Sequence, residues 1–196
     1  MLNFLLRKPN NPYNTFYSAT SGTSIVTAEY VYDPIQYITS GGFEGNIYPF
    51  YFLDPATGLT ATGTTCTAVS STEAAVAGKK SAKVVLVNNA HYFVVDIFKD
   101  TSDGADITTK TLTIKAYAKT SSAGCAFFTS VGGSGGSHGT VTGGSQLITA
   151  DGAWHSYTFT AVVTINGLTE HIWIGLTSST PSATVYLDEV YAYCAV

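Results

Sequence analysis

The stretch "TLTIKAYAK", Thr111 to Lys119, alternates without a break: Leu112, Ile114, Ala116 and Ala118 are apolar, while Thr113, Lys115 and Tyr117 fall between them. A period of two puts the two sets on opposite faces of an extended strand, one against a core and one turned away from it. The same period returns in "KSAKVVLV" (80–87), "HYFVVDIFK" (91–99), "AFFTSV" (126–131), "HSYTFTAVV" (155–163), "EHIWIGL" (170–176) and "ATVYLDEVYAY" (183–193). Gly, Ser and Thr turns separate these runs. With "YPFYFL" they make eight strand candidates, and only "STEAAVAGKK" (71–80) offers a short helical turn. The pattern predicts an all-β sandwich of about eight or more antiparallel strands.

Composition agrees with that class. The 196 residues are 45% hydrophobic and only 11% charged, so solubility rests on hydroxyls and amides. A compact fold of this size buries roughly 70% of the surface its unfolded chain exposes, enough for a substantial core. The formal charge is −4 and Arg7 is the only arginine, which argues against nucleic acid as a partner. No run approaches the roughly 18 apolar residues needed to span a bilayer, so no membrane partner is expected. Cys66, Cys125 and Cys194 are odd in number and unpatterned in spacing. They read as buried thiols more readily than as a disulfide framework or a zinc site.

Residues 1–36 differ from the rest. "KPNNPYNTFYSATSGTS" carries Pro, Asn and scattered aromatics without a sustained period and reads as an extended N-terminal arm. Its aromatics imply packing on its own domain or on a neighbour. The opening "MLNFLLRKPNNP" places its basic residues after the apolar run, the reverse of a secretory signal. "TSIVTAEYVY" (23–32) has the alternation that a donated strand would need. The glycine-rich "SVGGSGGSHGTVTGGS" (130–145) reads as a mobile loop with His138 solvated at its centre.

Chemistry of the catalytic kind lacks its parts. The four histidines, His91, His138, His155 and His171, lie far apart without ligand spacing, and no nucleophile elbow or phosphate loop occurs. A binding surface needs less, chiefly aromatic faces with polar groups beside them. If Ile172, Ile174 and Leu176 are core, Trp173 faces the other way. Lys115 and Tyr117 likewise oppose the apolar set of their strand, and Tyr186 opposes Val185 and Leu187. Trp173, Tyr117, Tyr186 and Lys115 are therefore the candidate platform, read as sharing one sheet; cover by the arm or a neighbouring subunit is the competing reading. Trp154 precedes the inward Tyr157 and Phe159 and is read as closing one end of the sandwich.

Four short motifs occur in order: "GFE" at Gly42, Phe43 and Glu44; "KTLTIKAYAKTSSAG" (110–124); "GAWHSYTFTAVV" (152–163); and "TVYLDEVYAY" (184–193). Over roughly residues 38–193 the chain resembles the jelly-roll carbohydrate-binding modules of cellulases and xylanases and the similar modules of bacteriophage tail and capsid-surface proteins. The resemblance implies a jelly roll over 37–196 following the arm at 1–36. It also implies a structural calcium between the opening and closing strands, with Glu44 and Asp188 at the matching positions. The expected function is that of a non-enzymatic phage or viral structural protein, a capsid decoration or tail component located on the virion. Its partners would be other virion proteins or copies of itself through the arm, with surface glycans as an added ligand. Two alternatives stay open: an extracellular carbohydrate-binding module of a secreted glycan-degrading enzyme, and a filament subunit assembled by strand donation.

Overall fold

The computed structural model describes residues 13–18, 27–32, 35–36, 38, 42–87, 90–97, 110–132, 138–165 and 171–194. They fall into two units, one ending at Ile35 and one spanning Gln36–Cys194. In the first, β1 (Tyr13–Ser18) and β2 (Thr27–Tyr32) pair antiparallel, with Tyr13 opposite Tyr32 and Ser18 opposite Thr27. The stretch read as a donor strand thus has Thr27–Tyr32 paired with a strand of its own chain. The two-residue β3 (Ile35–Gln36) lies at the boundary between the units.

The second unit is a β-sandwich of jelly-roll type. Its strands are β4 (Tyr51–Asp54), β5 (Leu59–Thr60), β6 (Thr67–Ser71), β7 (Ser81–Leu86), β8 (Tyr92–Asp96), β9 (Lys110–Thr120), β10 (Cys125–Gly132), β11 (Thr140–Gly143), β12 (Gln146–Leu147), β13 (Trp154–Thr164), β14 (His171–Ser178) and β15 (Ala183–Cys194). One sheet runs β12-β10-β14-β8-β4-β5 and the other β11-β13-β9-β15-β7-β6. From β7 onward the long strands alternate between the sheets, so chain neighbours such as β8 and β9 face each other across the core. No helix occurs among the described residues, and none is long and apolar enough to cross a membrane.

The core forms where the inward sets meet. Leu112, Ile114, Ala116 and Ala118 of β9 are fully buried, as their alternation requires, and so are Ile172, Ile174 and Leu176 of β14. Tyr157, Phe159, Ala161 and Val163 complete the inner face of β13. Phe43 begins an aromatic chain through Phe50 at 5.2 Å to Phe93 at 5.3 Å. Each such aromatic or large aliphatic side chain contributes about 1.5–3 kcal/mol on burial. Cys66 and Cys125 are buried free thiols, and burial pushes the Cys125 thiol above its ordinary value. The side chain of Cys194 lies outside the described residues.

Three local readings change. Residues 72–80 form a bent loop and no helical turn, because its amides donate to the carboxylates of Asp188 on β15 and of Glu44 in the segment ahead of β4 instead of to carbonyls one turn back. The glycine-rich connection contains β11 and is followed at once by β12, the two joining opposite sheets, and His138 is half-buried. Residues 133–137 of that connection lie outside the described residues. In β15 the register slips by one residue between Asp188 and Tyr191, opposite Tyr117 and Lys115 of β9. Glu189 absorbs the extra residue at φ 48° as a β-bulge.

Candidate functional site

The platform read from alternation divides between two sheets. Trp173 lies on β14, whereas Lys115, Tyr117 and Tyr186 lie on β9 and β15 of the opposite sheet. Alternation assigns a side chain to a face but does not say which strands become neighbours, so four outward residues cannot share a surface here. Each face has its own character.

On the outer face of the β14 sheet, Trp173 points away from the core as expected, yet it is only 5% exposed. It packs with Leu53 and Val94, and Tyr51, Tyr92 and Phe128 surround that small cluster. Gly132 makes room for the indole: a Cβ there would lie 2.4 Å from the ring. The indole N–H donates to Tyr51 Oη at 2.9 Å, and burial pushes the Tyr51 phenol above its ordinary value. The His171 ring stacks on Trp173 at 5.3 Å and 9°, while His171 Nδ1 is hydrogen bonded to Asp96 Oδ2. Tyr92 and Phe128 stay half-buried, their rings tilted at 60° and 4.9 Å apart. The result is an aromatic floor with a histidine–carboxylate pair at one end, its rings held in place by a buried tryptophan.

Of these residues the sequence reading singles out Trp173 alone. Tyr51, Tyr92, Phe128 and Asp96 were legible by the same rule, since each alternates with an inward residue: Phe52, Phe93, Phe127 and Val95. Their strands are short and half aromatic on both faces, which hides the period.

The outer face of the β9 sheet carries lysines among tyrosines. Lys115 Nζ lies 5.6 Å from the Tyr193 ring centre, and Lys83 and Lys119 each lie 5.9 Å from that of Tyr186. Lys83 is also paired with Glu73 at 2.7 Å, and Tyr186 Oη donates to the same carboxylate at 2.6 Å. These contacts hold the Glu73 carboxyl below its usual range and raise the Tyr186 phenol. Tyr191 donates to Glu189, whose acceptor pushes that phenol up to about 12. Trp154 shares this outward set, opposite Lys119 in the register, and is half-buried.

Glu44 and Asp188 do not meet directly. Asp188 is fully buried; its Oδ2 accepts the amides of Val76 at 2.8 Å and Ala77 at 3.2 Å, and its Oδ1 accepts that of Glu189 at 2.9 Å. Glu44 Oε1 accepts the amides of Lys79 at 2.7 Å and Lys80 at 3.1 Å. These amides hold the Glu44 carboxyl below its usual range, whereas burial outweighs the amides at Asp188 and raises its carboxyl. A calcium ion requires six to eight oxygen ligands. Here N–H groups take Glu44 Oε1 and both oxygens of Asp188, and no group of three His, Cys, Asp or Glu able to hold a metal occurs among the described residues. The donor set does not fit the ion that the resemblance implies.

No family model matches the chain, and no curated protein matches it in sequence. Solved structures match it in fold. The xylan-binding domain CBM22-1 of Xyn10C from Paenibacillus barcinonensis superposes with TM-score 0.54 at 15% identity, covering 82% of this chain and 95% of that one. The tandem CBM22-1–CBM22-2 domain of Xyn10C gives 0.58 at 14%, over 83% of this chain and 46% of that one. The enzymatically active domain of tailspike protein 4 from bacteriophage CBA120 gives 0.59 at 12%, over 82% of this chain and 22% of that one. At these identities the likeness is one of fold: the sandwich has the jelly-roll fold of carbohydrate-binding modules.

Proposed function

We propose that this chain is a non-enzymatic glycan-recognition protein, and that its sandwich takes sugar on the outer face of the β10-β14-β8-β4 sheet. The observation that carries this reading is the aromatic floor of Tyr51, Tyr92 and Phe128 held around the buried Trp173. Such rings offer flat apolar faces to the C–H surfaces of sugars, and the adjoining His171–Asp96 pair offers polar atoms to hydroxyls. Trp173 then acts as a support, fixing Tyr51 through its N–H. Glycan-array binding by the full chain, lowered at least about tenfold by Tyr92→Ala and by Phe128→Ala with folding retained, is the expected outcome. Wild-type protein that binds no glycan would overturn the assignment.

The setting we propose is a phage particle, as a tail-associated or capsid-surface component engaging other virion proteins or further copies through residues 1–36. The likeness to a phage tailspike domain supports it, as does the separate paired-strand unit ahead of the sandwich. The likeness to a xylan-binding domain supports the alternative, a module of a secreted glycan-degrading enzyme. Mass spectrometry of purified particles separates the two: the chain present at a fixed ratio to the major structural proteins supports the first, and its recovery only with a secreted hydrolase supports the second.

A further inference from the structure

We propose that the outer face of the β13-β9-β15 sheet is a second binding face, suited to an acidic polysaccharide whose carboxylates recur along an extended chain. Lys115 and Lys119 stand on the same side of β9 with Tyr117 between them, about 13 Å apart at ordinary strand rise. Among the described residues neither lysine has a carboxylate within ion-pair distance; each lies beside a tyrosine ring instead. The acids of this face have partners of their own: Glu73 is engaged by Lys83 and Tyr186, Glu189 by Tyr191, and the buried Asp188, opposite Tyr117 in the register, by the amides of Val76, Ala77 and Glu189.

On the β13 side, Ser156 and Thr158 lie directly opposite Tyr117 and Lys115 and are exposed. The face therefore combines two unpaired cations, phenol rings between and beside them, and a margin of small hydroxyls. A neutral glycan would leave both ammonium groups without partners. A polyuronate would pair them with carboxylates while its rings lie on Tyr117 and its neighbours. The chain as a whole is acidic at −4, so this cationic face is a local feature rather than a property of the general surface. The face lies on the opposite sheet from the aromatic floor, and either assignment can fail without the other.

Affinity electrophoresis of the full chain in gels containing polygalacturonate tests the proposal. Wild-type protein is expected to be retarded, less so as salt is raised. The double variant Lys115→Gln/Lys119→Gln is expected to bind about tenfold more weakly, and Tyr117→Ala to lose retardation that salt does not remove. The variant Lys79→Gln/Lys80→Gln makes the same change in net charge on the loop beside Glu44 and should behave as wild type. Absence of retardation, or equal weakening by both double variants, would overturn the proposal. Equal retardation by single-stranded DNA would reduce the face to a general polyanion patch, and binding to heparin without polygalacturonate would reject the carboxylate ligand.

Discussion

Glu44 and Asp188 hold one loop at successive points: Asp188 takes the amides of Val76 and Ala77, and Glu44 those of Lys79 and Lys80. The opening segment of the sandwich and its closing strand are thereby joined through a third segment. Five amide hydrogens, counting Glu189, stand where the resemblance implies a cation. We expect thermal stability to be the same in EDTA and in millimolar calcium, measured by differential scanning fluorimetry. A calcium-dependent rise of several degrees would contradict the donor assignment.

The two acids should respond to pH with opposite signs. Glu44 has a folded pKa below its unfolded value, so its contribution is present above the unfolded pKa and fades as pH falls through the folded one. Asp188 has a raised folded pKa, so its contribution is greatest below the unfolded pKa and is lost as pH rises through the folded one. The stability difference between wild type and Glu44→Gln should shrink on acidification, and that between wild type and Asp188→Asn should grow. At neutral pH, Asp188→Asn should cost about 2–3 kcal/mol, because an amide NH₂ then faces backbone donors. Denaturant melts across acidic pH check both trends.

Gly78 fixes the same loop from below. Its φ is +64°, and a Cβ there would lie 1.9 Å from Glu44 Oε1. Gly78→Ala should destabilise by about 1–3 kcal/mol, combining backbone strain with displacement of the carboxylate. In a Glu44→Ala background the clash disappears and the penalty should fall, which a double-mutant cycle in urea would measure.

The two tryptophans report on different surroundings. Trp173 is 5% exposed and hydrogen bonded, whereas Trp154 is half-buried on the opposite sheet. A Trp154→Phe variant should emit at shorter wavelength than wild type and resist acrylamide quenching. Trp173→Ala should cost about 3–5 kcal/mol. Quenching of Trp173 as efficient as that of a free indole would contradict its burial.

Thr129 Oγ1 is a buried hydroxyl with no hydrogen-bond partner. Thr129→Val keeps the shape and removes the unpaired group, so it should be neutral or stabilise by up to about 1 kcal/mol. A melting temperature unchanged or raised by about 2–4 °C is expected; a clear fall would show that the hydroxyl is satisfied in solution.

Much of the sandwich was legible because its long strands are one-sided. Leu112 to Ala118, Tyr157 to Val163 and Ile172 to Leu176 declare their inner faces by period alone. The short edge strands β6 and β11 gave no such signal, since their Ser, Thr and Gly on an exposed margin carry no apolar alternation, and β12 is two residues long. Sheet membership was equally hidden: nothing local in "HIWIGL" says that β14 neighbours β8 and β10 instead of β9. The site suffered most from this, because Tyr51, Tyr92 and Phe128 gather around Trp173 only after strands distant in sequence are placed side by side.

The bulge at Glu189 has a consequence for insertions and deletions. Before it, the odd-numbered Val185 and Leu187 point inward; after it, the even-numbered Val190 and Ala192 do. One added residue thus reverses the parity of β15, which keeps Tyr186, Tyr191 and Tyr193 on the same side of the sheet. Deleting Glu189 would leave the composition of the strand almost unchanged while driving two phenols into the apolar layer and Val190 and Ala192 out of it. A single codon, rather than any side chain, decides which way the end of this strand is worn.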